Sequence, residues 1–297
     1  MRVSQSTSIF LALALALLGL LSWSERSVLA RAIGIHDGTL SGKQPAVPLY
    51  TWSNVPMGGG GYVTGVAVHP VEPDLAYIRT DVGGAYRWNE IEDSEGRHWV
   101  PLNDTWRAEE ANYYGIESLA LDPADPDRVY IAAGKYLWAG NGRLFASDDR
   151  GTTWRPLDLE LPMGANDAMR ASGERLVVDP NETNVLYYGS RYDGLYKSSD
   201  FGETWAQIAP DLPLGDPDLG VTALAFDPFS EVAAGSPTPL LAAIHGQGVF
   251  RSIDGGQSWT FLDGGPIRVF RLKAGSGGRV FASARRGLFR YQNGVWD

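Results

Sequence analysis

One eight-residue pattern, S-x-D-x-G-x-x-W, governs what this chain can become. It stands as "SDDRGTTW" (147–154), "SSDFGETW" (198–205) and "SIDGGQSW" (252–259). Two degenerate copies extend the series: "SEGRHW", with Gly96 and Trp99, and "YQNGVW", with Gly294 and Trp296. The tryptophans fall at 99, 154, 205, 259 and 296, a period of about fifty residues with a shorter last unit. Every copy follows an apolar–aromatic pair: Ala85-Tyr86, Leu144-Phe145, Leu195-Tyr196, Val249-Phe250 and Leu288-Phe289. Upstream of four copies lies a strand-like run closed by His69-Pro70, Asp122-Pro123, Asp179-Pro180 or Asp227-Pro228. A repeat of this length with four short strand patterns is a propeller blade. The expected fold is all-β, a β-propeller with about five blades present. The 36 glycines, 18 prolines and 11% aromatic content agree. That composition is too turn-rich for a helical bundle and too aromatic for a disordered chain.

The repeated pattern is the Asp-box of BNR-like repeats, and its chemistry is local. The Ser and Asp side chains bond the turn's own backbone, Gly supplies a positive φ, and Trp packs between sheets. Asp149, Asp200 and Asp254, with Trp154, Trp205 and Trp259, are therefore assigned structural roles, despite their regularity. In the first unit the four strands are expected near "YVTGVAVH", "LAYIRT", "GAYRW" and "HWVPL".

The ends and the charge narrow the rest. Arg2, the apolar run "IFLALALALLGLL" (9–21) and the small-x-small "ARA" (30–32) read as an export signal over residues 1–32, cleaved near Ala32, with an uncleaved membrane anchor as the alternative. Residues 33–48 read as a linker and 49–297 as the propeller. The protein is expected to be secreted, to the exterior or the periplasm. Its formal net charge is −10, which repels nucleic acid and anionic membranes but not a neutral sugar. There are no cysteines, so disulfides and thiol chemistry are excluded. No paired histidine spacing suggests a metal, His69 and His98 read as structural, and no cofactor is expected.

Antiparallel strands reverse at each turn, so the second-to-third-strand loops must lie on the face opposite the Asp-box turns. These front loops are "RTDVGG", "GKYLWAGNG", "GSRYDG", "IHGQG" and "ARRG", joined by the connections "NDTWRAEEANYYG" and "LPMGANDAMRASGERL". They are rich in rings, amides and guanidinium groups. Sugar C–H faces stack on rings, and sugar hydroxyls exchange hydrogen bonds with Asn, Gln and Arg. Tyr113, Tyr114, Tyr136, Trp138 and Tyr192 are the candidate platforms. Asn166, Arg170, Arg191, His245 and Gln247 are the candidate polar contacts. Asp81, in "YIRTDVGGAY" (77–86), is the acid on this face. Beside glycine it reads either as a turn former or as a carboxylate presented for chemistry.

Several stretches settle that choice through a resemblance. "GGGGYVTGVAVHP" (58–70), "YIRTDVGGAYRW" (77–88), "WVPLND" (99–104), "SLALDPADPDRVYIAAGKY" (118–136), "PMGAND" (162–167), "GERLVVDPNETNVLYYG" (173–189) and "GLYKSSDFGETW" (194–205) are similar to glycoside hydrolase family 74, the xyloglucan-degrading enzymes and reducing-end-specific cellobiohydrolases. The likeness runs from about Leu49 to the C-terminus and weakens after residue 210. It implies two seven-bladed propellers facing each other across a groove, of which this chain would hold an incomplete first. It also implies that Asp81 is the general base of an inverting hydrolysis, with the general acid on the second propeller.

Inverting hydrolysis needs two carboxyl groups about 6.5–9.5 Å apart, with water between base and sugar. Asp81 can activate that water but cannot protonate the leaving oxygen. Asp167, Glu174 and Asp193 are local acids, and none matches an acid of the family. Two readings follow. In the first, the chain is a glycosidase acting on xyloglucan or a related β-1,4-glucan, an N-terminal piece or truncated homologue lacking its acid. In the second, it is a non-catalytic propeller that binds glycan or scaffolds protein. The expected partner is a polysaccharide or oligosaccharide substrate, with a missing C-terminal propeller as a further candidate partner. A sialidase reading is weaker, for want of an R-I-P start and an arginine triad.

Overall fold

The computed structural model describes residues 57–89, 98–215, 219–230 and 235–297, which belong to one structural unit. The export signal, the 33–48 linker, the start of the propeller at 49 and Gly96 of the first degenerate repeat lie outside the described residues.

Among the described residues, twenty strands form five four-stranded antiparallel sheets, each a simple meander. The first blade holds β1 (Val63–Val68), β2 (Ala76–Thr80), β3 (Ala85–Asn89) and β4 (His98–Pro101). The second holds β5 (Ile116–Leu121), β6 (Val129–Ala133), β7 (Gly142–Ser147) and β8 (Arg155–Leu161). The third holds β9 (Leu176–Val178), β10 (Leu186–Gly189), β11 (Leu195–Ser198) and β12 (Ala206–Ile208). The fourth holds β13 (Val221–Phe226), β14 (Leu240–Ile244), β15 (Gly248–Ser252) and β16 (Thr260–Phe261). The fifth holds β17 (Val269–Gly275), β18 (Arg279–Ala284), β19 (Gly287–Gln292) and β20 (Val295–Trp296). Successive blades touch through their first strands, which therefore stand innermost. This is the expected propeller of five blades.

Burial between sheets holds the stack together. The middle strands β6 and β14 are buried along their whole length, as short continuous apolar runs should be when both faces are covered. Four clusters fill the spaces between neighbouring blades. A repeat tryptophan enters each: Trp154, Trp205, Trp259 and Trp296 pack against residues of the preceding blade. Trp154 Nε1 donates to the Leu102 carbonyl at 3.0 Å, and Trp296 Nε1 to Leu262 at 3.1 Å, so each ring also ties its blade to the one before.

The turns behind those rings close on themselves. Asp254 Oδ1 accepts from Ser252 Oγ (2.8 Å) and the amides of Gln257 (3.0 Å) and Ser258 (2.9 Å), and Oδ2 accepts from Ser258 Oγ (2.5 Å). Asp149 and Asp200 repeat the arrangement with Thr153 and Thr204. The glycines 151, 202 and 256 have φ of 86°, 86° and 87°, the left-handed region the turn requires.

Charge fills the innermost region. Glu174, in the connection entering β9, takes Arg79 Nε of the first blade at 3.0 Å and Arg271 of the fifth at 3.5 Å on Oε1. Its Oε2 accepts from Ser118 Oγ (2.7 Å) and Leu119 N (2.8 Å) of the second blade. Its backbone carbonyl accepts from Leu224 N of the fourth at 2.8 Å. Arg271 also donates to the Thr64 carbonyl on β1, linking the fifth blade to the first. The outward face of β1 nonetheless leaves Val66 62% and Val68 68% exposed.

Candidate functional site

Asp81 sits in the β2–β3 turn, at the opposite end of its blade from the contact with a repeat turn. Tyr77, at the start of β2, donates from its hydroxyl to the Arg150 carbonyl of the second blade's repeat turn. Asp81 and Gly84, at the other end, meet Tyr62, Tyr114 and Gly115. The carboxylate and the three repeat aspartates thus occupy opposite rims.

The sequence "TDVGG" builds the turn. Thr80 Oγ1 accepts from Gly83 N at 2.8 Å and donates to the Gly84 carbonyl at 2.9 Å, so one hydroxyl closes the loop. A β-carbon on Gly83 would stand 1.8 Å from the Gly60 carbonyl oxygen, so only glycine admits the 57–62 segment alongside. Ala85 N donates to Asn103 Oδ1 at 2.7 Å, which ties the turn to the "WVPLND" stretch. Asp81 N donates to the Tyr62 carbonyl at 3.1 Å, and Tyr62 N returns a bond to Asp81 Oδ1 at 2.7 Å.

Asp81 is 5% exposed. Its other oxygen, Oδ2, faces Arg170 NH1 at 3.5 Å, and that guanidinium is 46% exposed on its side chain. Arg170 also lies over the Tyr62 ring, 5.4 Å from its centroid, and donates to Asn166 Oδ1 at 3.0 Å. Asn166 Nδ2 donates to the Tyr136 hydroxyl at 3.2 Å. The Tyr136 ring stacks on Trp138 at 5.5 Å with 18° between planes, and Trp138 is 82% exposed. A continuous chain of contacts therefore runs from a buried carboxylate to an open indole face.

Two loops carry that chain, and they are locked together. Ala165 N and Asn166 N donate to the carbonyls of Gly134 and Lys135 at 2.9 Å each. Asp167 Oδ2 accepts from Leu137 N at 2.8 Å, at the start of the 3₁₀ turn Leu137–Ala139. Asn112 Oδ1 accepts from Lys135 N and Tyr136 N at 3.1 and 3.3 Å. Asn112 escaped the sequence reading, because a single loop amide carries no local pattern.

Other expected contacts lie elsewhere. Arg191 is buried in an ion pair with Glu117, which also faces Arg175 Nε at 3.6 Å and accepts from the Tyr188 hydroxyl at 3.0 Å. Burial alone would raise the Glu117 carboxyl. The two guanidinium groups and the donated hydrogen bonds outweigh it and hold the carboxyl below its ordinary range. Arg191 is thus spent inside the protein and does not reach a ligand. His245 is likewise buried, while Tyr192 is half-buried and Gln247 exposed. Tyr113 turns into an aromatic cluster with Trp106 and Phe145, at 6.0 and 5.1 Å, beside a cavity of about 500 Å³ on the flank of the first and second blades. Tyr114 donates from its hydroxyl to the Trp106 carbonyl at 3.0 Å and braces the Asp81 turn through its own carbonyl, which accepts from Gly84 N. His69 bonds the Asp122 carbonyl through Nε2 at 2.9 Å and accepts from Glu72 N through Nδ1.

The three local acids are also accounted for. Asp167 serves the 3₁₀ turn, Glu174 serves the axis, and Asp193 accepts from Ser190 Oγ at 3.4 Å within its own loop. Among the described residues, no group of three or more His, Asp or Glu side chains is placed to hold a metal ion.

No family model matches the chain. Individual proteins do. A xyloglucanase of Acetivibrio thermocellus is 39% identical over 254 residues, covering 79% of this chain and 30% of that protein. An oligoxyloglucan-reducing end-specific xyloglucanase of Emericella nidulans is 40% identical over 222 residues, 73% of this chain and 26% of that protein. The solved family 74 xyloglucanase of Xanthomonas campestris superposes with a TM-score of 0.72 at 37% identity, over 84% of this chain and 39% of that one. YCF48 from Cyanidioschyzon merolae, at 14% identity and a TM-score of 0.52 over 84% of this chain and 75% of its own, shares the fold alone. This chain spans about 30% of the length of the curated xyloglucanase it matches.

Proposed function

The propeller of this chain belongs to glycoside hydrolase family 74, and from that premise we propose that it is the base-bearing part of an inverting xyloglucan hydrolase. The observation that carries the reading is the position of Asp81. It is the front-rim aspartate whose Oδ2 is faced by a side chain, Arg170, from another loop, and no donor from its own turn binds it among the described residues. In this reading Asp81 Oδ2 takes a proton from a water molecule. The water oxygen bonds to the anomeric carbon as the glycosidic C–O bond opens on the far side. Arg170 holds the carboxylate in register, and the Tyr136–Trp138 stack receives a sugar face. Asn166 and Gln247 supply polar contacts at the same rim. The leaving oxygen needs a proton from a second carboxyl group, which we place in a further propeller of the whole protein. The self-bonded repeat turns act as Asp-boxes, and residues 1–32 direct secretion.

A fluoride leaving group departs without a proton, so a β-glycosyl fluoride of a xyloglucan oligosaccharide isolates the base. The chain should hydrolyse it, and Asp81→Asn should lower the rate by about 10²–10⁴-fold at an unchanged melting temperature. Equal rates in the two proteins would overturn the catalytic role. The second reading, a glycan-binding propeller without chemistry, draws on the engagement of Asp167, Glu174 and Asp193 inside the fold. It requires that the fluoride and reducing-sugar release from xyloglucan both stay at background while xyloglucan oligosaccharide still binds.

A further inference from the structure

A second cavity, of about 900 Å³, opens on the fifth blade between the 264–268 connection and the β18–β19 turn. That volume lies in the range of small-ligand sites. Its walls include Arg268, Arg285 and Arg286, with Pro266, Ile267 and Phe289 between them. All three arginines are exposed.

Their lack of partners distinguishes them. In this acidic chain, guanidinium groups are generally matched to carboxylates: Arg79, Arg128, Arg143, Arg150, Arg155 and Arg191 each face one within 3.0 Å. Arg268, Arg285 and Arg286 make no hydrogen bond or ion pair with any described residue. The acids nearest in sequence are engaged: Asp263, near Arg268, accepts from Gly264 N at 2.8 Å, and Asp297, nearer Arg285 and Arg286, pairs with Arg290. Three like charges around one hollow repel one another, and an anion placed among them relieves that repulsion. Guanidinium groups match a carboxylate in a planar, two-point fashion.

The place of the cavity points to the source of the anion. The β18–β19 turn joins a second strand to a third, as the Asp81 turn does, and the 264–268 connection leaves β16 for β17. Both lie on the rim that carries Asp81. The apolar wall of Pro266, Ile267 and Phe289 suits the C–H face of a sugar ring better than a bare inorganic ion. The net charge of −10 opposes a dense polyanion at long range, so the fitting ligand is a mostly neutral glycan with an isolated acid.

We infer that this cavity binds the carboxylate of a uronic acid residue carried on a glycan lying across the front rim, an assignment that rests on the function proposed above and narrows its substrate class. The test is a titration of the full chain, carrying Asp81→Asn so that no hydrolysis intervenes, with methyl β-glucuronide, methyl β-glucoside and inorganic phosphate, followed by calorimetry or nuclear magnetic resonance. The glucuronide should bind in the millimolar range, at least about tenfold tighter than either comparison ligand, and weaken as salt rises. The double variant Arg285→Ala, Arg286→Ala should lose about tenfold in affinity or more, and Arg268→Ala, on the opposite wall, should lose affinity independently. Equal binding of glucuronide and glucoside overturns the proposal, as does phosphate binding as tightly as the glucuronide, or unchanged affinity in both variants with melting temperature preserved. Because binding is read without turnover, its failure leaves the Asp81 proposal standing, and loss of hydrolysis leaves this one standing.

Discussion

The protein presents two kinds of aspartate beside glycine, on opposite rims. Asp254 spends its carboxylate on its own turn, with four donors from residues 252, 257 and 258. Asp81 takes one amide from a segment nineteen residues away and meets an arginine from a third loop. The first geometry is complete without a ligand. The second leaves one oxygen addressed only by a half-exposed cation, with room for a water molecule to bond it beside that cation. Regular recurrence therefore marks the aspartates that hold the fold, and the one that breaks the pattern is the candidate for chemistry.

The contrast fails outright if exchanging the two acids has the same effect. Asp81→Asn should cost about 10²–10⁴-fold in turnover of the glycosyl fluoride, while Asp254→Asn should leave turnover intact. Arg170→Gln sharpens the same point: it should lower kcat about tenfold with KM nearly unchanged, and Arg170→Lys should restore part of the loss. A rise in KM alone would make Arg170 a ligand contact and not a positioning residue. Trp138→Ala should raise KM for a xyloglucan oligosaccharide about threefold to tenfold. Its melting temperature should not move, because the ring is 82% exposed.

The smallest effect belongs to the rear rim. Hydrogen bonds from the Ser258 side chain and amide pull Asp254 down to about 2. A carboxyl with a folded value below its unfolded one stabilises the fold above the ordinary aspartate range, near ~3.9, and loses that contribution as pH falls toward the folded value. Melting temperature should therefore drop between about pH 4 and pH 2, and Asp254→Asn should show a shallower drop. An identical acid profile in the variant would show that the turn's carboxylate carries no stability.

What could be read in the sequence follows from what is local. The repeat turns, their tryptophans and the strand order depend on residues within one unit, so spacing alone located them. The turn that carries Asp81 was legible because Thr80, Gly83 and Gly84 close it within five residues, while the role proposed for its carboxylate came from the family resemblance and not from the turn. The partners of Asp81 were legible only as residue types. Nothing in "GKYLWAGNG" and "PMGAND" states that Tyr136 and Asn166 would share a hydrogen bond, since only the docking of the connection leaving β8 onto the β6–β7 loop brings them together. Arg191 failed as a surface contact for the same reason. Its loop reads as polar and exposed, but Glu117, on the neighbouring blade's innermost strand, draws it inside.

Glu174 has a consequence of its own. Through two side-chain oxygens and one carbonyl it joins the first, second, fourth and fifth blades to its own third. Most stacked-repeat proteins are coupled only next to next, and can fray from either end like a frayed rope. A wheel whose spokes meet at one hub has less of that freedom: loosening the first blade strands the buried Arg79 guanidinium, and loosening the second strips Glu174 Oε2 of both its donors, so the blades should give way together.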